Sequence, residues 1–258
     1  MPDNRNHYPH RFGDVRLLDA VELSRKACLM LRFWVLLAVL AGSLLTIATQ
    51  AADEKRPAVT VDRDKKLVMI PAKIAPRKLP NLDQVYPIEV IATWGYREGK
   101  KGKAHETVLV TEVLPSDVHK AIESLGVKPG KPAKGEGAKA DGPEVNVYIE
   151  VIQADGTVKR LTMDKVLLDP KTKKPLPKGV KFKFTGSGMT ELAPDKPEKV
   201  YGADLTGTLI AIFPVTDETV LQSSLTMAEE KYLKLEVNKD LLPKEGDAVK
   251  LILEIGAK

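Results

Sequence analysis

Cysteine is almost absent from this 258-residue chain, whose one thiol is Cys28. Cys28 precedes an uncharged run at residues 33–48, so removal of that run as an export signal leaves a protein without cysteine. Disulfides, thiol nucleophiles, CxxC redox pairs and thiolate-held zinc or iron–sulfur centres are then excluded. Histidine is scarce as well: of four, only His105 and His119 follow the apolar run. Two histidines cannot build a three-histidine metal site. Aromatic residues make up 5%, too few for a platform on which bases stack. An excess of one charge is also missing. Forty basic side chains face 35 acidic ones, and the +5 balance falls to +3 once the first 51 residues are set aside. That remainder is spread through Lys-rich loops, whereas a nucleic-acid groove needs a concentrated basic face. No nucleic-acid partner and no cofactor are expected.

What is present suits a folded protein. Hydrophobic residues are 43% and charged residues 29%, which excludes disorder throughout. The 18 Gly and 18 Pro have no period, which excludes a collagen-like chain. Residues 33–48 read FWVLLAVLAGSLLTIA, with Arg32 just before them and Thr49, Gln50 and Ala51 after. A basic flank, an apolar centre and small residues at −3 and −1 of a cut between Ala51 and Ala52 define a secretory signal. The alternative is an uncleaved anchor, although about 20 residues are needed to span a bilayer. The stretch before the apolar run is long and carries acids. Either translation starts at Met30 and residues 1–29 are an extension, or Ser24, Arg25, Lys26, Ala27, Cys28 and Leu29 form a degenerate twin-arginine-like signal. The mature protein is placed in the periplasm or cell envelope, touching the membrane only if the N-terminal segment is kept.

Beyond a polar tether at 52–58, short alternating segments dominate. Residues 59–74 read as a hairpin, and Pro71, Pro76 and Pro80 hold an extended stretch after it. Residues 87–94 and 107–113 alternate with period two, as half-buried strands do. Residues 97–103 form a basic turn between them. The one clear helix lies at about 116–125: Val118, Ala121, Ile122 and Leu125 share a face, Ser116 or Asp117 caps it, and Gly126 ends it. Residues 128–142 (KPGKPAKGEGAKADG) have the composition of a flexible insertion. Residues 145–152 alternate and turn at Asp155 and Gly156 into 157–161. Residues 180–184, 208–213, 232–237 and 249–255 complete the strands. The expected fold is α+β, a mostly antiparallel sheet or sandwich forming a single domain over 59–258.

Few residues are placed to carry chemistry. His105 and Glu106 sit at the mouth of a strand, where neighbouring side chains point to opposite faces and cannot share one ion. HExxH is absent, because Leu109 fills the second histidine position. His119 lies in the first turn of the helix beside its apolar stripe and reads as a solvated or half-buried residue. Thr185, Gly186, Ser187 and Gly188 form either an ordinary turn or, if their N–H groups are free, an anion cradle. Asp204, after Tyr201, Gly202 and Ala203, orders a turn or serves as an acid.

Three blocks resemble one family: PIEVIA at 87–92; HETVLVTEVLPSDVHKAIESLGVKPG at 105–130; and FKFTGS at 182–187, continued at 201–204 and 207–213. In this order they are similar to the YdjY-like domain of exported bacterial proteins. The resemblance spans nearly the whole mature chain. It implies a single exported domain and supplies no reaction. Some relatives are joined to iron–sulfur or redox modules, for which this chain has no matching cysteine. The blocks contain His105, Glu106, Thr185 and Ser187, which with Asp204 are the candidate binding residues.

The expected function is a non-catalytic binding or accessory module of the envelope, acting on an envelope protein or a small ligand. Its surface would join the His105 strand end to the turn at Ser187. The alternatives are a hydrolase using His105 with Glu106 or Asp204, which requires those side chains to converge, and a membrane-anchored structural protein.

Overall fold

A polar turn between two apolar runs sets the first hairpin. β1 (Thr60–Asp62) and β2 (Leu67–Ile74) pair antiparallel, with Val61 opposite Val68. Asp62 Oδ1 accepts the Lys65 N–H at 3.0 Å to close the turn. The computed structural model describes residues 57–79, 82–95, 103–153, 155–193 and 196–256. The export signal with its Ala51 and Ala52 junction, Met30, Cys28, most of the tether and most of the basic turn at 97–103 lie outside these residues.

β3 (Val90–Trp94) and β4 (Thr107–Thr111) follow, and β4 leads into helix α1 (Pro115–Glu123). β5 (Glu144–Ile152) turns into β6 (Val158–Thr162), where Asp155 Oδ1 accepts from both the N–H and the hydroxyl of Thr157. The short α2 (Met163–Val166), β7 (Leu167–Leu168) and β8 (Phe182–Phe184) come next. A separate hairpin of β9 (Met189–Ala193) and β10 (Lys196–Tyr201) leads to α3 (Gly202–Thr206). β11 (Thr208–Ala211), β12 (Leu221–Ser223), α4 (Met227–Glu230), β13 (Glu236–Val237) and β14 (Ala248–Ile255) complete the described elements.

The class is α+β and mostly strand, but the sheet is not an antiparallel sandwich. The strands run β2, β14, β5, β8, β12, β11, β3, β4, and β4 returns to β2 through Lys73 opposite Val110 and Ile74 opposite Leu109. Eight strands thus close into a barrel-like ring, with β1 and β6 added at β2 and β5. β3–β4 and β11–β12 are parallel. Side-chain alternation is the same in parallel and antiparallel strands, so period two does not reveal this.

The inward side chains fill the ring. Ile70, Leu251, Ile149, Phe184, Leu221, Ile210, Ala92, Leu109 and Ile74 are all buried, and successive ones lie on neighbouring strands. β3 departs from the half-buried expectation: Ile91 on its outer face is as buried as Ala92. The chain beside it contributes Leu235, whose carbonyl accepts the Ile88 N–H at 2.8 Å.

Two further expectations are corrected. The strand read at 232–237 shrinks to β13, because Thr226 and Glu229 form a capping box that starts α4 just ahead of it. The insertion at 128–142 is held rather than free. Lys131 and Asp141 exchange backbone hydrogen bonds, Gly130 N–H reaches Phe184 O at 2.9 Å, and Gly135 N–H reaches Pro214 O at 2.9 Å. A Cβ at Gly130 would lie 2.2 Å from Asp141 O, so glycine there is what permits the close approach. Polar composition predicts little apolar burial, but it does not say where backbone groups find partners.

Candidate functional site

The register of β4 separates residues expected to act together. His105 and Glu106 lie in a 3-10 turn (Ala104–Glu106) before β4, whereas α1 follows it. A five-residue strand spans about 17 Å. Thr208 of β11 lies opposite Thr93 near the end of β3, which brings α3 and Asp204 to the α1 end. His105 and Glu106 therefore occupy one end of the barrel, and Thr185, Ser187 and Asp204 the other.

The first end is organised by Arg77, which is 4% exposed. Its Nε donates to Glu236 Oε1 at 2.8 Å and its Nη2 to Oε2 at 3.2 Å. The same guanidinium donates to the carbonyls of His105 and Tyr86. The 3-10 turn overturns the opposite-face expectation for His105 and Glu106, because His105 Nε2 comes within 3.9 Å of Glu106 Oε2. The His105 ring packs edge-on to Tyr86, and its Nδ1 is buried without a partner. Glu89 stands close by, its pKa raised by burial and by the carboxylates of Glu106 and Glu230. No three His, Cys, Asp or Glu side chains converge to hold a metal ion among the described residues.

The other end is a closed cycle of hydrogen bonds. Ser187 Oγ accepts the Ala203 N–H of α3 at 2.9 Å. Asp204 Oδ1 accepts the Ser116 N–H at 2.9 Å. The cap of α1 thus comes from 88 residues away, not from Ser116 or Asp117, and Pro115 fills the first helical position. His119 Nδ1 meets Tyr201 Oη at 2.8 Å, and Tyr201 Oη accepts the Ser187 N–H at 3.1 Å. No anion cradle exists at the turn. The N–H groups of Thr185 and Gly186 go to Val220 O, that of Ser187 to Tyr201, and that of Gly188 to Asp217 O. Thr185 Oγ1 also donates to Val220 O.

His119 is half-buried, as the sequence reading allowed; its pairing with Tyr201 is what sequence reasoning missed. Glu123 lies one helical turn beyond His119, with Oε2 3.4 Å from Nε2. This carboxylate favours the Nε2–H tautomer, leaving Nδ1 to accept the Tyr201 hydroxyl. The i, i+4 spacing of His119 and Glu123 was the available signal. Burial raises the Tyr201 phenol well above its ordinary range. Burial also lowers the pKa of His119, outweighing the attraction of Glu123. The unfolded imidazole takes up its proton near the ordinary value of about 6.5, the folded one only below it. Stability is thus full above that value and falls as pH falls through the folded pKa. Chemical denaturation midpoints should drop between pH 7 and pH 5, and drop less in His119→Phe; parallel curves for the two proteins would refute this assignment.

A third feature lies on the outer wall. A groove of about 550 Å³ crosses β5, β14 and β2, bounded by Val158 of β6, by Val110 of β4 and by Glu112 just beyond β4. Its rim includes Ile152, 71% exposed, and Val158, 62% exposed. The floor contains Met69, Pro71 and Ala248. Thr111 Oγ1 donates to Pro71 O at 2.7 Å where β4 leaves β2.

The YdjY domain model matches residues 59–254, and the chain belongs to that family. No curated protein and no solved structure matches it.

Proposed function

We propose that this YdjY domain is an exported, non-catalytic binding module of the cell envelope whose ligand lies in the outer groove. One observation carries the reading: a concavity of about 550 Å³ with large apolar side chains left in water on its rim. Exposed apolar surface of this kind marks interaction sites, and the volume falls in the ~300–1,000 Å³ range of small-molecule sites. The barrel interior is filled by its own side chains, which favours an outer site. The signal at residues 33–48 supports export. The hydrolase alternative needs His105, Glu106, Ser187 and Asp204 around one point, and they lie at opposite ends of the ring.

The test is titration of the full chain with a neutral fluorescent probe, N-phenyl-1-naphthylamine. Binding is expected at one site, and Ile152→Asp should weaken it about tenfold, a loss of roughly 1.4 kcal/mol. His105→Ala should leave it unchanged. A probe that ignores Ile152→Asp would remove the groove from the reading.

A further inference from the structure

We propose that the groove takes a long-chain carboxylate, a free fatty acid, with its head group held by Lys73 and Lys250. This rests on the groove being the binding site. Val158 pairs with Ile152, and Ala248 pairs with Lys73, which pairs with Val110. One row above, Arg160 pairs with Glu150, Glu150 with Lys250, and Lys250 with Pro71. Lys73 and Lys250 are therefore diagonal neighbours on adjacent strands, about 7–8 Å apart at the backbone. Both are exposed and both line the groove.

The charges around them are unequal in standing. Glu150 is already matched, since Arg160 donates Nη2 at 2.7 Å and Nε at 3.2 Å to its Oε1. Neither lysine has a salt bridge among the described residues. Glu112 lines the far edge, beyond Pro71. Two free ammonium groups over an apolar floor complement an anion joined to a hydrocarbon. Their flexible stems can lie along that floor while the charged heads converge on one carboxylate.

Size selects the kind of ligand. From Lys250 on β14 and Lys73 on β2 the groove runs two to three strand spacings to Val158 of β6, about 10–14 Å, room for the part of an extended alkyl chain nearest its carboxylate. Sixteen residues line it, fewer than the roughly 20–30 a side of a stable protein interface. A second folded chain would therefore have to reach well beyond it.

The experiment titrates the full chain with palmitate, below its aggregation threshold, and in parallel with N-phenyl-1-naphthylamine. Palmitate is expected to bind one-to-one and to weaken as salt is added, while the neutral probe does not respond to salt. The double variant Lys73→Gln, Lys250→Gln should weaken palmitate about tenfold and leave the neutral probe unchanged. Both positions are exposed, so the double variant keeps the fold. Ile152→Asp should weaken both ligands. The fatty-acid assignment falls if the probe binds but palmitate does not, or if the double variant binds palmitate as the wild type does. Absence of binding by either ligand overturns the groove reading as well.

Discussion

Replacing Glu236 by alanine should destabilise the protein by about 2–4 kcal/mol, below the full cost of breaking a buried ion pair because Glu236 itself is 20% exposed. Arg77 is 4% exposed and cannot turn to water when its carboxylate partner goes. Two of its donors would remain on the carbonyls of His105 and Tyr86. Nε, now bonded to Glu236 at 2.8 Å, would lose its charged acceptor. The damage reaches beyond β13, because Arg77 ties together the stretch after β2, the turn before β4 and the strand pair of β7 and β13. Urea unfolding reads the result as a fall in midpoint at unchanged slope. A loss below about 1 kcal/mol would mean that the two carbonyls alone satisfy the guanidinium. Glu236→Gln, which keeps the shape and one acceptor, should lose less than Glu236→Ala.

Neither Arg77 nor Glu236 stood out in the sequence, because their partners are remote: 159 residues separate them. What local chemistry determines was legible. Asp155 and Gly156 mark the turn between β5 and β6, and the Val118, Ala121, Ile122 stripe marks α1. The unbroken apolar run at 208–213 marks β11, buried on both faces. What depends on closure was not. Period two specifies which side chains share a face, and it is silent on whether β4 returns to β2 or runs parallel to β3. The candidate site divides the same way. Asp204 holds α1 through the Ser116 N–H and Ser187 holds α3 through the Ala203 N–H, both as parts of an interlock with His119 and Tyr201. The turn at Thr185 could look like an anion cradle only while the partners of its N–H groups were unknown. The groove emerges from alignment of Ile152, Ala248 and Lys73 across three strands, a pattern that exists only after register is set.

Gln222→Leu should release the 128–142 segment from the barrel and cost about 3 kcal/mol, since each buried polar group left unpaired costs roughly 1–3 kcal/mol. Gln222 is 1% exposed and spends its whole amide on backbone. Its Oε1 accepts the Ala133 N–H at 2.7 Å, and its Nε2 donates to Ala133 O at 2.9 Å and Thr216 O at 2.7 Å. Leucine of similar size fills the space and answers none of these three groups. Two outcomes compete for the backbone of Ala133: remaining buried and unpaired, or leaving for water and losing the packing of Ala133 and Ala140. The second is cheaper, because both side chains are small and the salt bridges that hold the segment, Lys134 to Asp217 and Lys231 to Glu136, are exposed. Detachment therefore limits the loss and supplies its own signature. Trypsin should cut the variant at Lys134 or Lys139 under conditions that leave the same bonds of the wild type whole, and amide exchange should accelerate at Gly130, Lys131 and Gly135 but not at Ile149 or Leu251 in the ring. Equal cleavage of both proteins would show that the bridge of Lys131 and Asp141, with Gly130 against Phe184 O, holds the segment without the glutamine.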